Sequence, residues 1–321
     1  MTIPTRSSLL VLLLSSCLGT VAFAGNAKPS DAGTVRDTVS PVSKSTPSEE
    51  ALKTPNADFK AACLETLAKT TRPASRDRLS KYCERREQIP TCASTEGRAI
   101  THSDFTSTDP RGKKILVLGL IHGDEPLAGE MALDWAERLH DLREKKIEPR
   151  NSWRVVPMLN PDGLERKTRM NARGVDLNRN FPTKDWSEEA TQFWKSKAGA
   201  DPRRFPGDQP ASEAETKCAI AHIKDFKPDF ILSVHTPYHV LDFDGPKMPF
   251  PVYKDLPWRA LGNFPGSLGR YMWRDYQIPV LTVELGQSMV DSAALQDIVG
   301  TFAIDAARRS GQKTASLYDL M

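Results

Sequence analysis

No block of like charge runs through this chain: 44 basic residues stand against 41 acidic ones over 321 positions, a formal charge of +3. Electrostatics alone therefore give no footprint for nucleic acid, and a small or peptidic substrate fits the balance better. Cysteine is scarce, five in all, and the four beyond residue 24 (Cys63, Cys83, Cys92 and Cys218) are too scattered to read as a cysteine zinc site. In an oxidising compartment an even number favours disulfides, with three pairings that spacing cannot separate. No internal repeat is visible, and after the first 24 residues no apolar run is long enough to span a membrane. What is present is a hydrophobic fraction of 39%, ample for a buried core.

Residues 1–24 carry one basic residue, Arg6, an apolar stretch from Leu9 and the small-residue end Ala22-Phe-Ala24, the pattern of a secretory signal cleaved after Ala24. Leu14-Ser-Ser-Cys17 offers a competing lipoprotein reading, in which attachment to a membrane would depend on lipidation of Cys17. Either way the expected location is the periplasm or cell envelope. Residues 25–58 are rich in Ser, Thr, Pro and Ala with few large apolar side chains, and are expected to form a flexible linker. Residues 59–90 read as a short helical accessory segment with apolar positions at Phe59, Cys63, Leu64, Leu67 and Leu79, which a Cys63–Cys83 bridge would staple.

From 91 to 321 the patterning becomes α/β. Short apolar runs at Ile115–Ile121, Trp153–Leu159, Phe230–Val234 and Pro279–Val283 read as buried strands. Leu127, Met131, Trp135 and Leu139 fall at helical spacing, and Ser212-Glu-Ala-Glu215 has the form of a capping box opening a second helix. One domain with a mixed sheet is expected, and open α/β sheets bind ligands beyond the carboxyl ends of their strands.

The residues that carry chemistry stand at those ends. His122 and Glu125 follow the first strand three residues apart, His235 follows the third, and Glu284 is the one acid in Ile278–Leu285. His-x-x-Glu alone is equally an imidazole paired to a carboxylate, but a second histidine directly after another buried strand favours metal. Two imidazoles and a carboxylate leave a fourth zinc position open, the arrangement of catalytic zinc. A buried unpaired Glu284 would cost several kcal/mol as a plain core residue, so a role is expected, with a salt bridge to Arg166 or Arg169 as the alternative. His102, His140 and His222 lie away from strand ends and are expected at the surface.

Asn160-Pro-Asp-Gly163, Arg166-Lys-Thr-Arg169, Asn171 and Gly174-Val-Asp-Leu-Asn-Arg-Asn-Phe-Pro182 make a resemblance specific. From about Gly97 to Arg308 the chain resembles the carboxypeptidase A-type zinc metallocarboxypeptidases, and its Arg-x-Asn and Pro-Gly-Ser-x-Gly forms are similar to the murein peptide amidase branch. The resemblance implies a mostly parallel mixed sheet with helices on both faces and one Zn2+ per chain on His122, Glu125 and His235. It implies Glu284 as proton acceptor, an oxyanion arginine at Arg169 or Arg166, and Asn178 and Arg179 gripping a terminal carboxylate, for which a guanidinium fork is suited. Asn171, Tyr238, His239 and Ser267 are further expected contacts to substrate. The loop Gly262-Asn-Phe-Pro-Gly-Ser-Leu-Gly269 stands where digestive members carry a tyrosine, which leaves no clear role for Tyr253 or Tyr271.

The implied reaction is hydrolysis of an amide next to a terminal carboxylate, with the γ-D-glutamyl–diaminopimelate bond of a peptidoglycan stem peptide foremost and no nucleic-acid partner. Asp242 and Asp244 are expected near the diaminopimelate ammonium, and Arg270 or Arg274 near its distal carboxylate. A general L-peptide carboxypeptidase, an N-acyl amino acid deacylase and a zinc-stabilised cell-wall-binding module are the alternatives.

Overall fold

In the computed structural model, residues 57–69 and 76–311 are described. The signal sequence, Cys17 and nearly all of the expected linker lie outside them. Among the described residues no helix is long and apolar enough to cross a membrane.

Two helices, α1 (Ala57–Leu67) and α2 (Arg76–Arg85), precede a short edge strand β1 (Ser103–Phe105). There follow β2 (Lys114–Leu118), α3 (Pro126–Glu144), β3 (Ser152–Val156), the short α4 (Pro161–Arg166) and α5 (Thr191–Ser196), and α6 (Ala214–Phe226). The chain closes through β4 (Phe230–His235), β5 (Val240–Asp244), β6 (Val280–Glu284) and α7 (Ser292–Arg309). The six strands pair in the order β1-β3-β2-β4-β6-β5. The four central strands are parallel and both edge strands antiparallel. All four apolar runs became strands. The edge strand β5 was not anticipated, because Val240-Leu-Asp-Phe-Asp244 carries acids rather than a continuous apolar run.

Alternate residues of each strand face opposite layers, as the period of two demands. Ile115, Val117, Phe230, Leu232 and Val234 pack with Met131, Trp135 and Leu139 of α3 and with Leu295, Val299 and Phe302 of α7. Leu116, Leu118 and Ile231 face the other way, against Cys218, Ala219 and Ile223 of α6. The sheet is thus covered on both faces, and its strand ends are where polar side chains emerge.

The α1–α2 segment shares this core rather than forming its own: Cys63, Leu67, Leu79, Tyr82 and Cys83 belong to the α3–α7 layer. Disulfides join Cys63 to Cys83 and Cys92 to Cys218, across separations of 20 and 126 residues. Restricting the unfolded chain over loops of those sizes contributes about 3 and about 5 kcal/mol by the loop-entropy relation.

Two expectations fail. His102, His140 and His222 are buried, not at the surface. His102 and His222 meet edge to face with centroids 4.9 Å apart, and His140 lies 4.7 Å from Phe105. Burial, the largest influence on each, pushes their pKa values down to about 4, about 2 and about 4 for His102, His222 and His140, so all three pack as neutral rings. Ser212 does not cap α6: the helix starts at Ala214 with no side-chain cap bond. Glu215 instead accepts from Thr95 N at 2.8 Å and Asn171 Nδ2 at 3.0 Å, so it is spent on a neighbouring loop.

Candidate active site

The turn after β2 carries His122 and Glu125. Gly123 is required there, since a Cβ would lie 2.0 Å from the Gly163 carbonyl carbon. The Asn-Pro-Asp-Gly motif is the brace for this turn. Asn160 Oδ1 accepts from Gly163 N at 2.9 Å and so caps α4, while its Nδ2 donates to Ile121 O at 3.1 Å. Pro126 then opens α3 directly after Glu125. His235 ends β4 and Glu284 ends β6, and the two are register partners on adjacent parallel strands.

These elements bring three donors together. His122 Nδ1 is 2.8 Å from Glu125 Oε1, and His235 Nδ1 is 3.0 Å from Glu125 Oε2 and 3.1 Å from His122 Nδ1. The remaining ring nitrogens point away to polar neighbours: His235 Nε2 is 2.8 Å from Ser233 Oγ, and His122 Nε2 is 3.3 Å from Asp176 Oδ1. Such outer contacts orient imidazole ligands. Both rings thus turn Nδ1 toward one point, with all three donor atoms within 4.8 Å of one another and all three residues buried. Two imidazoles and a carboxylate converging in this way fit a zinc ion with one side left free.

Burial opposes the charge on Glu125, but the imidazoles of His122 and His235 more than offset it and hold the carboxyl well below the usual range. Asp176 is also fully buried and is held down by Arg169, His122 and Arg179. Its Oδ2 accepts from Arg169 Nε at 2.9 Å and its Oδ1 from Asn178 N at 2.9 Å, so one carboxylate ties His122, Arg169 and the Asn178–Arg179 turn together. Glu284 shows the opposite balance. Burial raises its pKa despite His235, and its Oε2 lies 3.4 Å from Tyr238 N.

The trio lines a cavity of about 560 Å3. Arg169 lines it, with Nη1 3.1 Å from His122 Nδ1 and 3.7 Å from Glu125 Oε1. Arg166 does not: its guanidinium pairs with Glu96 on the surface. Asn178 and Arg179 line the cavity, with Arg179 lying over the Phe264 ring at 4.5 Å and burial pushing its pKa down to about 10. Gly266 has φ +78° and a Cβ there would meet Arg179 O at 1.8 Å, which explains the glycine in Pro-Gly-Ser-x-Gly. Ser267 reaches the cavity wall and shapes this turn, its Oγ accepting from Phe264 N at 3.1 Å.

Tyr238, Asp242 and Asp244 also line the cavity. Burial, then the neighbouring Asp244, pushes Asp242 up to about 6. Other expectations fail. Asn171 turns away, donating to Glu213 at 2.7 Å and to Glu215. His239 is exposed and packs against Gly286. Arg270 is committed to Asp185 and Glu189, and Arg274 to Asp185, so neither faces the cavity. Tyr253 and Tyr271, for which no role was expected, are buried and do not line the cavity. Asp176, Ser233, Arg203 and Arg204 were not anticipated as parts of the site. The first stood inside a recognised motif, where an acid before Leu-Asn-Arg was the signal, and the others carry none.

A profile of the zinc carboxypeptidases, Peptidase_M14, matches residues 76–244. The match takes in His122, Glu125 and His235 and stops short of Glu284. The chain is similar to murein peptide amidase A of Vibrio campbellii, 33% identical over 181 residues that cover 53% of this chain and 68% of that protein. It is 44% identical to murein peptide amidase A of Escherichia coli K12 over 85 residues, 26% of this chain and 35% of that relative. Carboxypeptidase A from Helicoverpa armigera shares the fold, with a TM-score of 0.51 at 16% identity over 80% of each chain.

Proposed function

Because this chain belongs to the zinc carboxypeptidase family, we propose that it acts on a peptidoglycan-derived peptide, cleaving the γ-D-glutamyl–diaminopimelate amide next to a free carboxylate. What carries the proposal is one cavity lined by a His2Glu donor set, by Glu284 and by the half-buried guanidinium of Arg179. Similarity to two murein peptide amidases supports the peptidoglycan substrate. The leader expected at residues 1–24 would bring enzyme and polymer into one compartment.

His122, Glu125 and His235 would hold the zinc, which when bound supplies a Lewis acid for the scissile carbonyl and lowers the pKa of water. Glu284, a carboxylate poised by burial toward protonation, accepts the proton of the attacking water and returns it to the leaving amine. Arg169 is held by Asp176 through Nε, which aims the far side of its guanidinium at the developing oxyanion. Arg179, stacked on Phe264, receives the terminal carboxylate with Asn178 beside it. Asp242 and Asp244 on the same cavity face the distal ammonium of diaminopimelate, a charge that an apolar pocket would reject. Mass spectrometry of L-Ala-γ-D-Glu-diaminopimelate incubated with the purified protein tests this: free diaminopimelate is expected, and an intact tripeptide contradicts the proposal.

A further inference from the structure

The cavity lining holds more guanidinium than a single terminal carboxylate needs. Besides Arg169 and Arg179, it includes Arg203 and Arg204. They sit in a single 3-10 turn, Pro202–Arg204, which is fixed rather than free. Asp201 caps it, accepting from Arg203 N at 2.9 Å, and Trp194 Nε1 holds Asp201 O at 2.8 Å. On its far side Phe205 O accepts from Asp176 N at 2.8 Å, so the turn is bonded to the residue that braces His122 and Arg169.

The two side chains are only partly engaged. Arg203 Nη2 donates to Asp124 Oδ2 at 2.6 Å, and Arg204 Nε comes to 3.6 Å from Asp201 Oδ2, beyond hydrogen-bond length. A guanidinium has five donors, so both retain donors for a ligand. Asp124 lies between His122 and Glu125, which places Arg203 at the metal edge of the cavity. The charge of Arg204 acts on Arg179 and disfavours its protonated form, a repulsion that a second anion would relieve.

A substrate linked through the γ-carboxyl of glutamate carries that second anion. Its α-carboxylate stays free, on the acyl side of the scissile amide, whereas an ordinary peptide has a neutral amide in that place. Resting on the substrate reading above, we propose that Arg203 and Arg204 form an anion subsite for the free α-carboxylate of the γ-linked glutamyl residue, and so select γ-glutamyl substrates over α-linked peptides. Arg179 then holds one carboxylate and the 203–204 turn another, on opposite sides of the bond.

The test compares L-Ala-γ-D-Glu-diaminopimelate with the same peptide amidated at the α-carboxylate, in the zinc-loaded wild type and in the Arg203→Gln/Arg204→Gln double variant. The wild type is expected to favour the free acid by about tenfold in kcat/KM, the size of one charge-assisted hydrogen bond, with the difference carried by KM. The double variant is expected to bring the ratio close to one, and Arg203→Lys/Arg204→Lys to restore part of it. Equal turnover of both glutamyl peptides by the wild type, or an unchanged ratio in the double variant, overturns the subsite alone. Cleavage of an α-linked L-peptide with neither glutamyl peptide touched overturns the substrate reading, and the subsite with it.

Discussion

Exchange of Asp176 for asparagine separates bracing of the site from its chemistry. The carboxylate is fully buried, is not among the residues lining the cavity, and faces three groups: His122 Nε2 at 3.3 Å, Arg169 Nε at 2.9 Å and Asn178 N at 2.9 Å. The amide keeps the shape and one acceptor but removes the charge facing His122 and Arg169. Loss of such an outer partner typically weakens metal binding 10- to 100-fold, or about 1.4–2.7 kcal/mol. Asp176→Asn should therefore release zinc to a competing chelator at a free-metal level about 10- to 100-fold higher than wild type. A second readout follows from its depressed pKa. Burial would raise it, but Arg169 and His122 hold it below its unfolded value, so the stabilisation is present above the unfolded pKa of about 3.9 and is lost as pH falls through the folded one. The gap in Tm between wild type and variant should be full at neutral pH and shrink below about pH 4. A variant whose zinc affinity stays within about threefold of wild type would refute the bracing role.

Glu284→Gln should retain zinc, because Glu284 stands outside the donor trio, yet lose about 10²- to 10⁴-fold in kcat as the proton acceptor disappears; near-normal kcat would place the base elsewhere. His235→Ala should lose the metal by elemental analysis, whereas His239→Ala, four residues on but packed against Gly286, should keep it. Asp242, whose pKa burial and Asp244 push up to about 6, must be ionised to attract an ammonium. As pH falls through about 6, KM for a diaminopimelate-ended peptide should therefore rise relative to KM for an apolar-ended one, and parallel pH profiles would exclude Asp242 from that contact.

The core of the site was legible because buried parallel strands leave a simple trace: an apolar run that stops at a histidine or an acid. His122, His235 and Glu284 all obey it, and register alone then places His235 beside Glu284. Residues braced by distant partners were not legible. Asp176 sits in a turn whose sequence suits solvent equally well, and its burial depends on Arg169 and His122 arriving from elsewhere. Asn171 and His239 lie within a few residues of true cavity residues, but a turn reverses direction in that distance, so proximity in sequence did not decide which way they face. His102 and His222 were misjudged because a helix or loop histidine carries no local sign of burial; only the contact between α6 and the segment before β1 creates it. The Cys92–Cys218 bridge spans 126 residues, beyond any inference from spacing.

The central claim is that this cavity hydrolyses an amide flanked by a free terminal carboxylate and a γ-linked glutamyl group. It is tested most directly by kcat/KM for three peptides in one assay: L-Ala-γ-D-Glu-diaminopimelate, the same peptide extended by D-Ala, and an α-linked L-peptide with an apolar terminus. The tripeptide should be cleaved fastest, the tetrapeptide poorly because its added residue moves the terminal carboxylate away from Arg179, and all activity should disappear with a chelator and return with zinc. Preference for the L-peptide, or turnover unaffected by metal removal, would contradict the account.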